Sequence, residues 1–504
     1  MHASRLRRVR SFSVRTNGPK PIGWLFGATL ATFFFFAAAG TASARQGDPP
    51  ESRVQPVQAL GSIAVRTLPS VDVGARLAED LEAPPGPQRF AIPEEINVTP
   101  STAGTWEQLS DGGRLWRLRF HSPGATDLNF GFTRFWLPRG ATLHVVSEGV
   151  DYFEGPYTHR DNKSHRQLWT PVVPGDRAVI ELYLPAGTTA KPDLVLARVG
   201  KGYRDMFGPG FGDGNGGDPE DHGECNNDVI CPLGDPWRDE IRSVGMYSIE
   251  GVESCSGTLI KDVPGSFKPF FLTANHCELT TDNAATVVVY WHYESATCGA
   301  QTCTLGANQT GSTLRAARAD VDFALLELDD DPTPHGVYYA GWDRSGIAAK
   351  KSVGIHHPRT HCKSISLNND LLTTVDSCIG AGTATHWRVD DWEDGTTEPG
   401  SSGSGLWSVT THKLIGFLSG GAAECPDDNG DDCYGKFSVA WNGANASVRL
   451  RDWLDPDNTG TMKVWGMEPP AVPAVSAWGA IGAVVLMLAV SLALAVWSRR
   501  PTAR

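Results

Sequence analysis

All ten cysteines of this 504-residue chain lie between Cys225 and Cys433. An even number of cysteines gathered in one stretch predicts disulfides within one domain, formed in a compartment that allows oxidation. The chain is also long for a single core, so a second folded domain is expected outside this stretch. The cysteines therefore place a disulfide-bonded domain in the C-terminal half.

Both ends of the chain have the composition of targeting segments. Residues 1–44 combine scattered arginines, an apolar run and a final Ala-Ser-Ala, which predicts a secretory signal peptide. Residues 477–497 carry no charge and are long enough to cross a bilayer as a helix, with arginines after them. The tail, residues 467–504, is interpreted either as a transmembrane anchor or as a sorting signal that a membrane peptidase removes.

The first domain is predicted from short alternating apolar runs within residues 89–200. Turn clusters separate these runs, a spacing that is typical of an antiparallel β-sandwich. Residues 45–88 are predicted to be a mobile lead-in, and the Gly- and Asp-rich residues 201–224 a linker. The sandwich aromatics are expected to fill the core, with exposed carbohydrate-binding rings as the alternative: Trp116, Phe120, Phe130, Phe132, Phe135, Trp136 and Trp169.

Charge limits the partners of the protein. The chain has a net charge of −13, which argues against nucleic acid, because phosphate binding needs a basic face. An acidic exported protein also repels its own copies, so a monomer is expected.

Three motifs follow one another at wide spacings in the C-terminal half. Residues 271–277 form a hydrophobic strand that ends in a histidine and a cysteine. Residues 322–328 are an aspartate followed by a buried strand, and residues 398–405 place a serine among glycines. This order of histidine, aspartate and serine is one of those used by serine proteases.

Each motif supplies one part of a nucleophilic mechanism. Ser402 is predicted to be the nucleophile and His276 its base, with Asp322 holding the imidazole tautomer. Asp320 stands two positions away as a rival for the last role. The backbone amides of Gly400 and Ser402 are the candidate oxyanion hole.

At these motifs the chain resembles the chymotrypsin-fold serine peptidases, and within them the bacterial lysyl endopeptidases. The resemblance runs from about residue 225 to residue 460 and includes segments 225–232, 341–344, 355–358, 397–404 and 452–456. It implies two six-stranded β-barrels that meet at a cleft. The expected fold class is therefore all-β: a chymotrypsin-like double β-barrel protease domain, residues 225–466, preceded by a β-sandwich pro-domain.

The resemblance also implies a specificity pocket. Trypsin-like enzymes carry an acid six positions before the nucleophile, where this chain has Thr396. In lysyl endopeptidases the pocket acid comes from a later strand before a Tyr-Gly pair, which corresponds here to Asp432. Gly420 and Gly421 are expected to line the pocket, and Ser419 stands where the family has a histidine.

Two features near these residues leave alternatives open. By composition, residues 427–432 could equally be a solvated acidic turn or a calcium loop. The position before the nucleophile, which is acidic in enzymes that are activated by cleavage, is Ser401, so activation must work differently here.

The disulfide pairing is implied in part by the same resemblance: Cys225 with Cys425, Cys231 with Cys298, and Cys255 with Cys277. The remaining four cysteines lie outside the family pattern. A loop from Cys362 to Cys378 is the most economical pairing and leaves Cys303 with Cys433.

Together these observations predict an exported serine endopeptidase that cuts protein or peptide substrates after lysine, or arginine, without a metal or organic cofactor. A zinc site at His356, His357, His361 and Cys362 is the weaker interpretation, because the paired histidines belong to the family pattern. The rival functions are a catalytically inactive binding module at the cell surface and a serine protease of other specificity.

Overall fold

The structure is a computed structural model that describes residues 47–83, 86–207, 225–300, 303–305, 307–425 and 430–470. The predicted signal peptide, most of the predicted linker and the apolar segment 477–497 lie outside these residues and stay predictions. No helix within the described ranges is long and apolar enough to cross a membrane.

Among the described residues, twelve strands belong to the N-terminal half. They are β1 (Val65–Thr67), β2 (Gln88–Arg89), β3 (Ala91–Val98), β4 (Thr105–Gln108), β5 (Arg114–His121), β6 (Asp127–Trp136), β7 (Thr142–Ser147), β8 (Phe153–Tyr157), β9 (Leu168–Trp169), β10 (Val173–Pro174), β11 (Arg177–Leu184) and β12 (Asp193–Gly202). One sheet has the order β1-β5-β11-β7-β8 with β4 beside β5, and the other has the order β10-β6-β12-β3 with β9 beside β6.

A shared apolar core joins the two sheets of this sandwich. Alternating side chains of both sheets enter it, as the period of two in the sequence predicts. Six of the seven predicted core aromatics are buried, and Trp136 is partly exposed. The buried rings are therefore core residues and present no stacking platform to a sugar.

The expectation of a lead-in without regular structure is wrong for residues 47–83. This segment contains helices α1 (Glu51–Val54) and α2 (Val73–Leu81) as well as β1. Strand β1 pairs in parallel with β5, and Asp72 caps α2 by accepting a hydrogen bond from the amide of Ala75 at 3.0 Å. Pairing with a neighbouring strand orders a segment that has little periodicity of its own.

The C-terminal half contains the other seventeen strands. They are β13 (Asn227–Asp228), β14 (Val244–Ile249), β15 (Glu253–Ile260), β16 (Phe270–Ala274), β17 (Val288–Trp291), β18 (Glu294–Ser295), β19 (Cys303–Thr304), β20 (Asn308–Thr310), β21 (Ser312–Arg318), β22 (Phe323–Leu328), β23 (Ser352–His356), β24 (Ser364–Asn368), β25 (Thr373–Val375), β26 (His386–Val389), β27 (Gly405–Ser408), β28 (Lys413–Gly421) and β29 (Asp432–Lys436). Short helices α3 (Arg238–Ile241), α4 (Phe437–Ala440) and α5 (Arg451–Leu454) complete it.

Two large sheets carry the predicted site, which makes the fold all-β as expected. The first has the order β20-β17-β14-β15-β16-β22-β21, with β2 of the N-terminal half paired to β15. The second has the order β13-β24-β23-β27-β28-β29-β26-β25. Each sheet thus has eight strands where six were expected, because β2 and the short edge strand β20 extend the first and the short edge strands β13 and β25 extend the second.

Two local expectations are wrong. The short apolar run at residues 437–441 predicts a strand, but α4 begins at Phe437, and its buried residues Phe437 and Ala440 are three positions apart, the spacing of one helix face. The disulfides join Cys303 to Cys362 and Cys378 to Cys433, which differs from the economical pairing. The other bonds join the pairs that the resemblance implies.

The two halves share one core. Met246, Val288, Tyr290 and Tyr293 of the C-terminal half belong to the same buried apolar cluster as the sandwich. Polar contacts also cross between the halves, and one of the buried ones is the 2.8 Å hydrogen bond from Asn129 Nδ2 to the carbonyl of Gly251. The halves therefore form a continuous interior.

This hydrogen bond gives a test of the interface. Replacing Asn129 with alanine leaves the buried Gly251 carbonyl without its donor, so we expect the free energy of unfolding to fall by about 1–3 kcal/mol. The measurement is urea denaturation of the Asn129→Ala chain in the Ser402→Ala background. Asn369→Ala, at an exposed position, is the control and should change stability by less than about 0.5 kcal/mol. Equal effects of the two changes would contradict this account.

Candidate active site

The structure brings the three predicted residues into one chain of hydrogen bonds. Ser402 Oγ lies 2.7 Å from His276 Nε2, and His276 Nδ1 lies 2.8 Å from Asp322 Oδ2. The second oxygen of Asp322 accepts the backbone amide of His276 at 2.8 Å. Because a carboxylate only accepts, this arrangement puts the ring proton on Nδ1 and turns the lone pair of Nε2 towards Ser402.

Neighbouring strands fix the histidine and the aspartate. Strand β16 ends just before His276, β22 begins just after Asp322, and the two strands pair antiparallel. Asp322 is buried and has a φ of 59°, a left-handed conformation that aspartate tolerates better than most residues. The rival Asp320 is exposed and pairs with Arg318 at 2.5 Å. The geometry therefore favours Asp322.

The serine is held by a turn that requires glycine. Gly403 has a φ of 81°, and a Cβ there would lie 2.1 Å from Thr273 Oγ1 and 2.5 Å from the carbonyl of Ser256. The amide of Ser256 in turn donates to the carbonyl of Ser402 at 2.9 Å. The nucleophile loop is thereby joined to the first sheet by its backbone.

The candidate oxyanion donors lie in the same loop. Gly400 has a φ of 93°, and its carbonyl accepts a hydrogen bond from Ser256 Oγ at 2.9 Å. Within the described part of the chain, the amides of Gly400 and Ser402 have no hydrogen-bond acceptor. They are therefore available to a ligand oxygen.

Asp432, the predicted pocket acid, is fully buried, although the preceding residue, Asp431, is partly exposed. One oxygen, Oδ2, accepts hydrogen bonds from Trp392 Nε1 at 2.7 Å and from Thr397 Oγ1 at 2.8 Å. The other oxygen, Oδ1, is buried and has no partner among the described residues. Burial raises the pKa of Asp432 from 3.8 to about 6, and the two donors oppose that rise.

Glycines leave space beside this free oxygen. Gly421 pairs with Asp432 across β28 and β29, and a Cβ on Gly421 would lie 2.4 Å from Asp432 Oδ1. Gly420 has open space around its Cβ position. Thr396 does not reach Asp432, because its hydroxyl donates to the carbonyl of Thr397 at 3.3 Å. Thr397 is thus the threonine that contacts the acid.

The candidate metal ligands take part in other bonds. His356 lies 2.8 Å from Ser401 Oγ and 3.1 Å from Ser366 Oγ, and His357 Nδ1 lies 2.9 Å from the carbonyl of His361. Cys303, His361 and Cys362 lie close together, but the two sulfurs are bonded to each other and offer no thiolate. Asp431 pairs with Arg388 at 2.8 Å, while residues 426–429 of the acidic turn lie outside the described residues.

Sequence reasoning missed two residues that hold this site. Trp392 and Thr397 bind Asp432 from 40 and 35 residues away, and no spacing rule pairs them with it. By sequence, Asp431 and Glu398 are rival acids for substrate recognition, but the buried carboxylate of Glu398 pairs with Arg359.

Comparison with known proteins adds an independent observation. The lysyl endopeptidase C-terminal domain family matches residues 219–435, and the lysyl endopeptidase N-terminal domain family matches residues 71–197. A lysyl endopeptidase from Pseudomonas aeruginosa strain PAO1 is 30% identical over 362 residues, which cover 67% of this chain and 76% of that protein. This chain belongs to the lysyl endopeptidase family. It is accordingly a serine endopeptidase.

Solved structures of other proteases resemble only part of this chain. The active form of the Rv3671c protease from M. tuberculosis is 14% identical, with a TM-score of 0.30 over 45% of this chain and 89% of that one. The MamO protease domain from Magnetospirillum magneticum is 12% identical, with a TM-score of 0.28 over 40% of this chain and 96% of that one. The fold is therefore defined by the strand order of this chain itself.

The raised pKa of Asp432 predicts a pH-dependent cost to stability. The folded state favours the protonated form of Asp432. The stability that this preference contributes is fully present below about pH 4 and is lost as the pH rises through about 6. A shift of about two pKa units corresponds to about 3 kcal/mol. The unsubstituted protein loses this stability as the pH rises, and the Asp432→Asn variant has none to lose. We therefore expect the variant to gain about 3 kcal/mol in free energy of unfolding, relative to the unsubstituted protein, between pH 4 and pH 8.

Chemical denaturation at several pH values measures this difference. Other titrating groups are common to both proteins and cancel. A difference that stays constant with pH would show that Asp432 is solvated like its neighbours in the acidic turn.

Proposed function

We propose that this endopeptidase hydrolyses peptide bonds after lysine, with Ser402, His276 and Asp322 as the catalytic triad and Asp432 as the acid of the specificity pocket. The observation that carries the proposal is the buried Asp432 Oδ1, which has no partner in the described part of the chain. A buried carboxylate oxygen beside open glycines is suited to receive a substrate cation.

The triad geometry supports an acyl-enzyme mechanism. Ser402 Oγ attacks the scissile carbonyl while its proton passes to His276 Nε2, and Asp322 stabilises the resulting imidazolium. The amides of Gly400 and Ser402 donate to the oxyanion. His276 then gives its proton to the leaving amine, and a water molecule, activated by the same nitrogen, hydrolyses the ester to regenerate Ser402.

The occupancy of the two Asp432 oxygens favours lysine over arginine. A guanidinium binds a carboxylate best through two parallel hydrogen bonds, one to each oxygen. Here Oδ2 already accepts two hydrogen bonds and only Oδ1 is available. One free oxygen suits the compact ammonium of lysine.

The rival functions fit the site less well. An inactive binding module has no need of a serine 2.7 Å from a histidine that is itself oriented by a buried aspartate. Specificity for acidic side chains would place two carboxyl groups together at Asp432. Specificity for small apolar ones would leave its free oxygen buried without a partner, which is costly.

We further propose that the protein is exported and that the N-terminal sandwich is a pro-domain removed during maturation. Five disulfides fit an oxidising compartment. Lys201, the last lysine before Cys225, lies buried in β12 and pairs with Glu94 at 3.1 Å. Self-cleavage there requires β12 to leave its sheet, and residues 205–224 contain no lysine or arginine. Cleavage between residues 205 and 224 would therefore need a protease of different specificity.

The triad assignment predicts the effect of Ser402→Ala. This change removes the nucleophile and little volume, so we expect turnover to fall by roughly a millionfold while folding and disulfides are kept. The measurement is hydrolysis of a lysyl peptide, with fluorophosphonate labelling as a second readout. Ser404→Ala, two positions away, is the matched control and should stay labelled. Retention of more than about a tenth of the activity by Ser402→Ala would contradict the assignment.

The pocket assignment predicts a selective loss in Asp432→Asn. Removing one partner of a buried charge pair costs about 3–5 kcal/mol, so cleavage after lysine should fall by roughly a hundredfold or more. Cleavage after leucine should fall much less. Equal losses on matched lysyl, arginyl and leucyl peptides would make Asp432 a structural residue.

The same peptides give an internal control through pH. The pKa of Asp432 is about 6, so the ratio of lysyl to leucyl kcat/KM should fall below that pH in the unsubstituted enzyme and stay flat in Asp432→Asn. Any effect of pH on the chemical steps is common to both peptides and cancels from the ratio.

A further inference from the structure

A second buried carboxylate, Glu398, lies in the loop that leads to Ser402. Its side chain is fully buried, and its oxygens accept hydrogen bonds from Arg359 Nε at 2.8 Å and from Asn226 Nδ2 at 2.7 Å. Its backbone carbonyl accepts the amide of Ser401 at 2.9 Å. The carboxylate thus holds a turn that ends at the nucleophile.

Arg359 contacts this loop by its backbone as well as by its side chain. Its amide donates to the carbonyl of Pro399 at 2.6 Å, and the residue has a φ of 49°. Thr360 also has a positive φ, 65°, and a Cβ on Gly400 would lie 3.0 Å from the amide of Thr360. Arg359 and Thr360 are therefore held in a strained conformation directly against the candidate oxyanion loop.

Asn226 connects the same carboxylate to the beginning of the protease domain. It follows Cys225, whose disulfide with Cys425 anchors this segment. The nucleophile loop is thus tied to the start of the domain through the uncharged amide of Asn226. The charge of the Glu398 carboxylate is balanced by Arg359. Because a buried carboxylate without a partner is unstable, these contacts restrict the conformations open to the loop.

From this geometry we infer that Glu398, paired with Arg359 and Asn226, is a positioning residue that holds the amides of Gly400 and Ser402 in their oxyanion-binding orientation. The inference rests on the proposed function of Ser402. The pair performs the task that a new N-terminal ammonium performs in proteases with an acid before the nucleophile, where this chain has Ser401. Turnover of the mature enzyme should then be independent of which residue its chain begins with.

Glu398→Gln tests the inference because it removes the charge and keeps the shape. We expect kcat to fall about 10–100-fold and KM for a lysyl peptide to stay within about threefold, since the loss is confined to the transition state. A lysyl peptide aldehyde, which forms a tetrahedral adduct with Ser402, should lose affinity in the same proportion as kcat. The amide of lysine, which binds without an adduct, should keep its affinity.

Two further variants separate positioning from loss of structure. Arg359→Met leaves Glu398 buried without its cation and should lower kcat at least as much as Glu398→Gln does. The double variant, Glu398→Gln with Arg359→Met, should lose less kcat than the product of the two single losses. Glu327→Gln is the matched control. It breaks an Arg315–Glu327 pair of the same 2.8 Å length in the protease domain and should leave kcat within about twofold. Thermal unfolding of each variant identifies any that do not fold.

The outcomes distinguish the inference from the proposed function. An unsubstituted enzyme that fluorophosphonate does not label, or an active Ser402→Ala, would overturn the proposed function itself. An active enzyme in which Glu398→Gln keeps full kcat would overturn only the inference. Parallel losses of aldehyde and lysine amide affinity would do the same, because they would mean that the pocket, and not the oxyanion loop, had changed.

Discussion

The site depends on the backbone contact between the two protease sheets. The nucleophile loop of the second sheet lies so close to β15 and β16 of the first that a methyl group on Gly403 would overlap Thr273 and Ser256. The hydrogen bond from Ser256 to Ser402 joins the loop to the sheet that carries His276 and Asp322. The distance between serine and histidine is therefore set by glycines and by backbone geometry, with flexible side chains playing little part.

Three buried carboxylates around this contact differ in how their charge is balanced. Asp322 faces an imidazole, Glu398 faces a guanidinium, and Asp432 has only neutral donors on one oxygen. Burial raises the pKa of Asp432, and no cation faces it to oppose that rise. In the proposed pocket, a substrate ammonium would supply the cation that Asp432 lacks, and the stability lost in the free protein would be available for recognition.

The sequence predicted what local patterns determine and missed what tertiary contacts determine. Strand β22 and the aspartate before it were predicted to the residue, because an apolar run with a polar start has one reading. The helix at Phe437 was missed, since a short apolar run fits either structure. The hydrogen bonds of Trp392 and Thr397 to Asp432 and the pairing of Cys303 with Cys362 join distant segments, and no spacing rule encodes them.

Strand β2 of the N-terminal half pairs with β15 and so adds a strand to the first protease sheet. Gln88 and Arg89 pair with Ser254 and Glu253, and Ser254 stands two residues from the Ser256 that contacts the nucleophile loop. Departure of the N-terminal domain would expose an unsatisfied strand edge beside the catalytic cleft, and such edges readily bind another extended peptide. The chain therefore covers this edge with its own backbone for as long as the two halves stay together.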